Sequence, residues 1–350
     1  MEDSASTKLL DWYDTHARTL PWRSPPGVQR PFDRNWPYRV WLSEVMLQQT
    51  TVAAVIPYFE TFIRRWPDVE ALASAPEEDV MAAWAGLGYY SRARNLVACA
   101  REVAAKGGFP ETEAELLQLP GLGAYTAAAV AAIAFGQRAV VVDANVERVV
   151  ARLFAIAEPL PAARKRIREC ADQITPDTRS GDFAQAMMDL GATICTSRDP
   201  KCLLCPLTGN CAARAGGDPA SFPVKAPKKA RPERHGTAYW IVQGREVWLV
   251  RRPGKGMLGG MRSLPDDSWS ARKNGHGTAP IAGAWRSGGV VQHGFTHFSL
   301  HLSVALYDGQ TPLSALDDAD GEWWPLDRLD DAGLPTVFAK AARLALAQLV

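Results

Sequence analysis

The spacing of apolar residues changes once along this chain, and that change limits the folds open to it. Residues 8 to about 215 carry apolar side chains at helical spacing, in segments separated by Pro, Gly and Asp. The predicted helical segments lie around 40–65, 78–105, 113–119, 124–135, 145–157 and 182–194. Beyond residue 236 the spacing becomes two, most clearly in HFSLHLSV (297–304), where large apolar residues alternate with His and Ser. The sequence therefore predicts a mainly α-helical region followed by an α+β domain.

The segment SFPVKAPKKARPERHG (221–236) marks the boundary between these two regions. It is rich in Pro, Lys and Arg and has few large apolar residues, as expected of an extended linker. Its basic residues could contact phosphates or simply keep the linker solvated. We predict a helical region over 1–220, a basic Pro-rich linker over 221–235 and a second domain over 236–350.

The second domain should contain both strands and a helix. TAYWIV (237–242) and REVWLV (245–250) flank a short turn and predict a hairpin. EWWPL predicts another strand, and TVFAKAARLALAQL predicts a closing helix.

The composition gives no sign of a membrane protein. The most apolar segment, TAAAVAAIAF (126–135), is too short to span a bilayer, and the N-terminus MEDSASTKLLDWYD lacks the apolar core of a signal peptide. A net charge of +1 does not by itself indicate or exclude nucleic-acid binding, because local clusters matter more than the sum. We expect a cytosolic monomer that does not bind membranes.

Four of the six cysteines fall within seventeen residues, CTSRDPKCLLCPLTGNC. Cys195, Cys202, Cys205 and Cys211 are separated by six, two and five residues. Cytosolic thiols stay reduced, whereas four thiolates in one loop can bind zinc or an iron–sulfur cluster. Zinc sites usually show paired short spacings, often with histidine, and this segment has one CxxC and no nearby His. The spacing predicts a metal site and leaves cluster and zinc open.

The segment LPGLGAYTAAA (119–129) has the features of a phosphate-binding turn. Gly121 and Gly123 flank a leucine directly before an alanine-rich helix, whose N-terminal N–H groups favour an anion. Two glycines alone would fit any helix–helix connection. The preceding Leu-Pro and the following helix are typical of a helix-hairpin-helix DNA-binding element.

Two carboxylates occupy notable positions. Glu44, in WLSEVMLQQT (41–50), has mostly apolar neighbours one helical turn away, so a helix would press its carboxylate against apolar groups and raise its pKa. Asp143 follows an apolar run and opens the predicted helix in AVVVDANVERVVARL (139–153), where it suits an N-cap. On the residues alone, an exposed glutamate and a helix cap are the simpler explanations.

These motifs, together with SEVMLQQT, GLGYYSRARNL and QAMMDLGATIC, closely resemble adenine DNA glycosylases of the MutY family. The resemblance covers about residues 8–215 and continues more loosely through the C-terminal domain; the first part is also similar to the wider endonuclease III superfamily. It implies a helical glycosylase fold in which the four cysteines hold a [4Fe–4S] cluster, followed by a Nudix-like domain. The implied function is base-excision repair: flipping out and hydrolysing adenine mispaired with 8-oxoguanine or guanine in double-stranded DNA.

The resemblance also assigns catalytic roles. Glu44 corresponds to the general acid that protonates adenine N7, and Asp143 to the carboxylate that stabilises or captures the sugar cation. Asn145 is implied to support Asp143 or orient water. Tyr125 stands where bifunctional relatives carry a nucleophilic lysine, and a phenol cannot form a Schiff base. We therefore predict a monofunctional glycosylase that leaves an abasic site.

Further residues are implied to contact DNA. Gln49 and Tyr89 are expected to fill the space left by the extruded adenine, although on the residues alone they would be a surface amide and a core aromatic. The implied DNA-binding residues are Arg23, Gln48, Gln49, Leu87, Tyr89, Gly121 and Gly123. Those implied to recognise 8-oxoguanine are Phe295, Thr296 and His297, where the family usually has Phe-Ser-His.

Two other functions remain open on the sequence. One is a T·G mismatch glycosylase of the same superfamily, which can also carry tyrosine at the hairpin; the second domain and Glu44 argue against it. The other is a non-catalytic iron–sulfur protein that binds damaged DNA, which the presence of both Glu44 and Asp143 disfavours.

Overall fold

The computed structural model describes residues 4–28, 33–227, 231–253, 257–295, 297–309, 316 and 320–348. Thr296 and the linker residues Lys228 and Lys229 lie outside the described residues. The chain divides into two compact units, Met1–Pro227 and Lys228–Val350. No helix of the described chain is long and apolar enough to cross a membrane.

The first unit is helical. Its helices are α1 (Ala5–His16), α2 (Trp36–Leu47), α3 (Val52–Arg65), α4 (Val69–Ser74), α5 (Glu77–Trp84), α6 (Ser91–Ala105), α7 (Glu113–Leu116), α8 (Ala124–Phe135), α9 (Ala144–Leu153), α10 (Arg164–Ile174), α11 (Ser180–Thr193) and α12 (Ala212–Ala215).

Helix α2 runs through the core of this unit. Nine of its twelve residues are buried, so it is enclosed on nearly every side. It packs against α8, where a run of small residues from Ala127 to Ala132 is also buried. Because small side chains at a helix contact allow the axes to approach closely, the alanine-rich sequence of α8 suits this packing. Any polar side chain on α2 is consequently held inside the protein.

The structure corrects the sequence reading at three places. Two long helical segments, expected around 40–65 and 78–105, are each broken, by loops at 48–51 and 85–90. Helix α10 was not expected, because its sequence RKRIRECADQI is mostly charged. It forms because Ile167, Cys170 and Ala171, at helical spacing, are all buried on one face.

The described residues of the second unit form seven strands and one long helix: β1 (Glu233–Trp240), β2 (Val242–Gln243), β3 (Glu246–Arg251), β4 (Arg262–Ser263), β5 (Trp285–Gly294), β6 (Ser299–Tyr307), β7 (Gly321–Pro325) and α13 (Thr336–Leu346). One sheet has the order β1-β6-β5, with β1 parallel and β5 antiparallel to β6. In the other, β3 pairs with β2, β4 and β7. The fold is therefore the predicted combination of a helical region and an α+β domain.

The predicted hairpin at 237–250 is only partly right. Val242 pairs with Val247 across the turn, but the preceding residues form β1, which pairs in parallel with β6. This pairing places Ala238 and Trp240 in the core that α13 covers. The predicted alternation in β6 is confirmed, since Leu300, Leu302 and Val304 are buried.

The first part of the expected linker is hydrogen-bonded to the first unit. The backbone N–H of Leu160 donates to the carbonyl of Val224 at 2.9 Å, and Lys225 forms a parallel bridge with Leu160. Residues 224–225 are thus extended, as predicted, and are also hydrogen-bonded to the first unit.

Candidate active site

Helix α2 places Glu44 inside the first unit, where only 5% of the residue is exposed. The phenol Oη of Tyr125 donates a hydrogen bond to Glu44 Oε2 at 2.5 Å. Burial raises the pKa of Glu44 to about 7; the Tyr125 hydrogen bond and the Arg23 charge oppose the shift, and the charge of Asp143 adds to it. Burial therefore outweighs the groups that favour ionisation, so a sizeable fraction of Glu44 is protonated at neutral pH.

Tyr125 stands in the first turn of α8, directly after the glycine turn. Burial and the nearby Glu44 and Asp143 carboxylates raise the pKa of Tyr125 well above its usual value. The phenol therefore stays neutral and acts as a hydrogen-bond donor. Tyr125 is thus hydrogen-bonded to Glu44, and Asp143 is near enough to influence its pKa, while a shared catalytic role for the three stays a prediction.

Asp143 is the N-cap of α9, as the sequence predicted. Its Oδ1 accepts from the backbone N–H of Val146 at 2.7 Å, and its Oδ2 accepts from Asn145 Nδ2 at 2.8 Å. A helix N-terminus with N–H donors favours negative charge at this position. The site thus combines a buried acid that is partly protonated with a capped carboxylate, the arrangement used in acid–base chemistry at neutral pH.

Arg148, which the sequence reading missed, extends this network towards the cysteines. Its Nη2 donates to Asn145 Oδ1 at 2.9 Å, and its Nε donates to the carbonyl of Cys195 at 2.8 Å. Gly191 allows the approach, because a Cβ there would lie 2.6 Å from Asn145 Cβ. A continuous chain of hydrogen bonds therefore joins Asp143 to the first cysteine. The sequence carried no signal for it, since the acceptor is a backbone carbonyl 47 residues away.

Arg23 was expected to bind DNA, and the structure gives it a buried ion pair. Its Nη1 contacts Asp189 Oδ2 at 2.7 Å, while Arg18 Nε donates to Asp189 Oδ1 at 2.7 Å. These arginines keep the pKa of Asp189 below its usual value despite burial. DNA contact by Arg23 stays a prediction; the observed role is to hold Asp189 and place a positive charge near Glu44. Asp189 was missed, although a carboxylate within the apolar run MMDLG was a usable signal.

The glycine turn is exposed before α8. Gly121 has φ +77° and lies against Asn95, whose Cβ would be 2.6 Å from a Cβ at this position. Gly123 is the N-cap residue of α8, and a Cβ there would meet no atom within 4 Å. The glycine turn is therefore exposed as predicted, while phosphate binding at this helix N-terminus stays a prediction.

The other expected DNA-binding residues differ in exposure. Gln49 and Tyr89 are both exposed and stand in the two loops that break the long helical segments. Leu87 is buried, and Gln48 Nε2 donates to Thr126 Oγ1 at 3.2 Å. The structure thus makes Gln49 and Tyr89 available at the surface, whereas Leu87 and Gln48 help to fix their loops. DNA contact by each of the four stays a prediction.

The four cysteines expected to bind metal line one small cavity. None forms a disulfide. Among the described residues, no three His, Cys, Asp or Glu side chains are arranged to hold a single metal ion. Arg152 Nη1 lies 3.3 Å from Cys195 Sγ, which places positive charge beside the thiols.

In the second unit, Phe295 is packed while His297 is exposed. The ring of Phe295 stacks on Phe298 with centroids 4.7 Å apart and contacts His293 edge-on at 4.6 Å. The backbone N–H of Phe295 also donates to the carbonyl of Phe298 at 2.8 Å. Phe295 is therefore held at the start of the segment 295–297 and His297 is exposed, while recognition of 8-oxoguanine by either residue stays a prediction.

Comparison with known proteins identifies the class first. A family model described as HhH-GPD superfamily base excision DNA repair protein matches residues 42–176, and a NUDIX domain model matches residues 237–344. The solved structure of a thermostable thymine-DNA glycosylase is similar with a TM-score of 0.53 and 31% identity, covering 60% of this chain and 95% of that one. Fold and site thus define a helix-hairpin-helix base-excision glycosylase with an added Nudix-like domain.

Curated relatives narrow this class to one family. The adenine DNA glycosylase of Homo sapiens is 36% identical over 400 residues, covering 96% of this chain and 73% of that protein. That of Mycolicibacterium smegmatis is 43% identical over 215 residues, covering 61% of this chain and 70% of that protein. The chain belongs to the adenine DNA glycosylase family, which confirms the resemblance found in the sequence.

Proposed function

We propose that this protein hydrolyses adenine from A·8-oxoguanine and A·G mispairs in double-stranded DNA and leaves an abasic site. The observation that carries the proposal is the pair of carboxylates around Tyr125: Glu44, buried with a pKa of about 7, and Asp143, capped and hydrogen-bonded. Breaking the adenine–sugar bond requires a proton on the leaving base and negative charge near the sugar. These two residues supply both.

In the proposed reaction the target adenine first leaves the duplex, at a cost of a few kcal/mol. Protonated Glu44 then donates to adenine N7, which makes the base a better leaving group. Asp143 stabilises the developing positive charge on the sugar, or captures it covalently before water attacks. Asn145 holds Asp143 in place through its Nδ2 hydrogen bond.

The chemistry of Tyr125 leads us to propose that the protein does not cleave the DNA strand. Strand-cleaving relatives need an amine that forms a Schiff base with the sugar, and a neutral phenol cannot do so. The expected product is therefore an intact strand with an abasic site. A covalent enzyme–DNA adduct trapped by borohydride would contradict this part of the proposal.

We further propose that the four cysteines hold a [4Fe–4S] cluster. The support is that the four cysteines line one cavity, and that Arg152 offers a positive charge to a cluster with negatively charged thiolate ligands. When bound, the cluster would cross-link the 195–211 loop. A brown absorbance with about four iron atoms per chain is expected on purification; a colourless protein with stoichiometric zinc would contradict it.

We also propose that Phe295, Thr296 and His297 recognise 8-oxoguanine, and that the protein acts as a monomer in the cytosol. His297 is exposed beside the packed Phe295, as a recognition residue requires. Six unpaired thiols suit a reducing compartment.

The His297→Ala variant should lose preference for A·8-oxoguanine over A·G, since it lacks the recognising side chain. Equal preference in variant and wild type would exclude this role.

The central experiment is a single-turnover assay on A·8-oxoguanine, A·G and T·G duplexes. The wild-type protein should release adenine from the first two and no thymine from the third. Glu44→Gln, which keeps the acceptor for the Tyr125 hydrogen bond but cannot act as the acid, should bind equally and be slower by about 10²- to 10⁴-fold. Thymine release would favour a T·G glycosylase, and binding without any release would favour a non-catalytic protein.

A further inference from the structure

Two exposed residues of the first unit adopt unusual backbone conformations. Gln49 has φ +57° and Tyr89 has φ +49°, in the left-handed region that residues other than glycine rarely occupy. They stand in the loops 48–51 and 85–90, here called the wedge loops, which join α2 to α3 and α5 to α6. Such conformations persist only where the surroundings fix them.

The guanidinium of Arg92 connects the two wedge loops. Its Nη1 donates to the carbonyls of Val45 and Met46, at 3.0 and 3.1 Å. Its Nη2 donates to Thr50 Oγ1 at 3.3 Å and, on the other loop, to the carbonyl of Leu87 at 3.1 Å. One planar group therefore holds the end of α2, the first wedge loop and the second wedge loop together.

Aromatic contacts extend this arrangement to Tyr89 itself. The Arg92 guanidinium lies 5.5 Å from the centre of the Tyr89 ring and 5.3 Å from that of Trp84. Trp84 Nε1 donates to the carbonyl of Gly88 at 3.0 Å, and Tyr58 Oη donates to the carbonyl of Ala85 at 2.8 Å. The backbone of the second wedge loop is thus fixed at Ala85 and Gly88, which precede Tyr89.

The position of Arg92 is not explained by helix stability alone. It stands in the first turn of α6, where a positive charge opposes the helix dipole. Its side chain reaches instead to the last turn of α2, whose carbonyls have no partner within the helix and attract a cation. That same turn contains Glu44, so Arg92 also supports the helix end that carries the proposed acid.

We propose that Arg92 is a positioning residue for base extrusion, and that it holds both wedge loops so that Gln49 and Tyr89 enter the base stack together as the adenine leaves. The inference rests on the proposed function. A residue that only stabilised the fold would affect all substrates equally. The effect of Arg92 should instead depend on the free-energy cost of extruding the base. Extrusion costs less for a base that is already unpaired.

The test uses Arg92→Lys, which keeps the charge but cannot reach all of these acceptors at once. On a duplex with A·8-oxoguanine, single-turnover adenine release should slow by about tenfold or more, because misplaced positioning groups reduce rates strongly. On a duplex with adenine opposite an abasic site, where the base is unpaired, the loss relative to wild type should be at most about threefold. Equal losses on both duplexes, or no loss, would overturn the proposal.

A second readout follows extrusion without cleavage. In the Glu44→Gln protein, 2-aminopurine replaces the target adenine, and its fluorescence rises when the base leaves the stack. Adding Arg92→Lys should reduce this rise, and an unchanged rise would overturn the proposal. If wild type released no adenine from any duplex, the proposed function would fail, while the fluorescence measurement would still test Arg92.

Two further variants complete the design. Arg101→Lys is the matched control, since Arg101 is on the same helix and its Nε donates to the carbonyl of Ala73. This variant should behave as wild type in both assays. If Arg92→Lys does not fold, as judged by thermal unfolding, Thr50→Val removes a single acceptor of Arg92. It should show a smaller loss on the A·8-oxoguanine duplex only, and an equal loss on both duplexes would again contradict the role.

Discussion

At the scale of single residues, the site depends on the protonation of Glu44. Burial raises the pKa of Glu44 to about 7, while the Tyr125 hydrogen bond and the Arg23 charge lower it. In the proposed mechanism the protonated form acts as the acid, so activity should be present below this pKa and should be lost as the pH rises through it. These opposing contributions keep the pKa of Glu44 near 7. At neutral pH a sizeable fraction of Glu44 is then protonated and can still give up its proton.

Removing the Tyr125 phenol should shift this pH dependence. Tyr125→Phe deletes a hydrogen bond to the ionised form of Glu44, so the pKa should rise and the alkaline limb of the rate profile should move up by about one pH unit. The measurement is the single-turnover rate from pH 5 to pH 9 for both proteins. A limb that moves down, or stays in place, would contradict the assignment of Glu44 as the titrating group.

The buried acid should also reduce the stability of the protein. Because the folded-state pKa of Glu44 lies above its usual value of 4.5, the folded protein binds its proton more tightly than the unfolded chain. The resulting decrease in the free energy of unfolding is small near pH 5 and grows as the pH rises through 7. Glu44→Gln should therefore increase the free energy of unfolding by about 1–3 kcal/mol at pH 8 and by less at pH 5.

This prediction is checked by urea unfolding of both proteins at pH 5 and pH 8. Glu115→Gln is a suitable control, since Glu115 is exposed on α7. If Glu44→Gln were less stable than wild type at pH 8, the carboxylate would stabilise the fold. That result would contradict the prediction that burial of Glu44 destabilises the protein at this pH.

At the scale of elements, the close packing of α9 against α11 aligns the site. Gly191 on α11 faces Asn145 on α9, and a Cβ would approach Asn145 Cβ to 2.6 Å. Gly191→Ala should push Asn145 away from Asp143 and slow adenine release by about tenfold to a hundredfold, because small displacements of catalytic groups are costly.

The matched control is Gly209→Ala, where a Cβ would meet no atom within 4 Å. Both variants are compared with wild type in the single-turnover assay and in thermal unfolding. Normal activity of Gly191→Ala would show that the hydrogen bond from Asn145 is not needed to hold Asp143.

Local sequence patterns predicted some elements and sites better than others. Glu44, Asp143 and the cysteine loop were recognised because each lies in a short motif. Asp189, Arg148 and Arg92 were not, because their partners are backbone carbonyls or side chains many residues away. Likewise β1 was joined to the wrong neighbour, since its parallel partner β6 begins 66 residues after β1 does. Helix α10 was missed because its three buried residues are hidden among charges.

At the scale of the whole molecule, each unit has hydrophobic cores of its own. Leu9, Trp41 and Phe62 belong to the core of the first unit, whereas Trp269 and Phe338 belong to a core of the second. Separate cores favour unfolding in more than one step. We expect two calorimetric transitions rather than one.

Single core substitutions should assign the transitions. Phe338→Ala, at a fully buried position, should destabilise one transition by about 3–5 kcal/mol and leave the other within error. Phe62→Ala, equally buried in the first unit, should do the reverse. A shift of both transitions by either substitution would show that the units unfold together.

The buried ion pairs of Asp189 have a consequence for synthesis of the chain. Arg18 and Arg23 are translated more than 160 residues before the carboxylate that they bind. The N-terminal segment must therefore wait, its cations hydrated, until α11 has emerged. By then nearly all of the catalytic unit has been translated, and the Nudix-like unit has not. The nascent polypeptide can thus complete the unit that holds Glu44 and Asp143 before the Nudix-like unit has been translated.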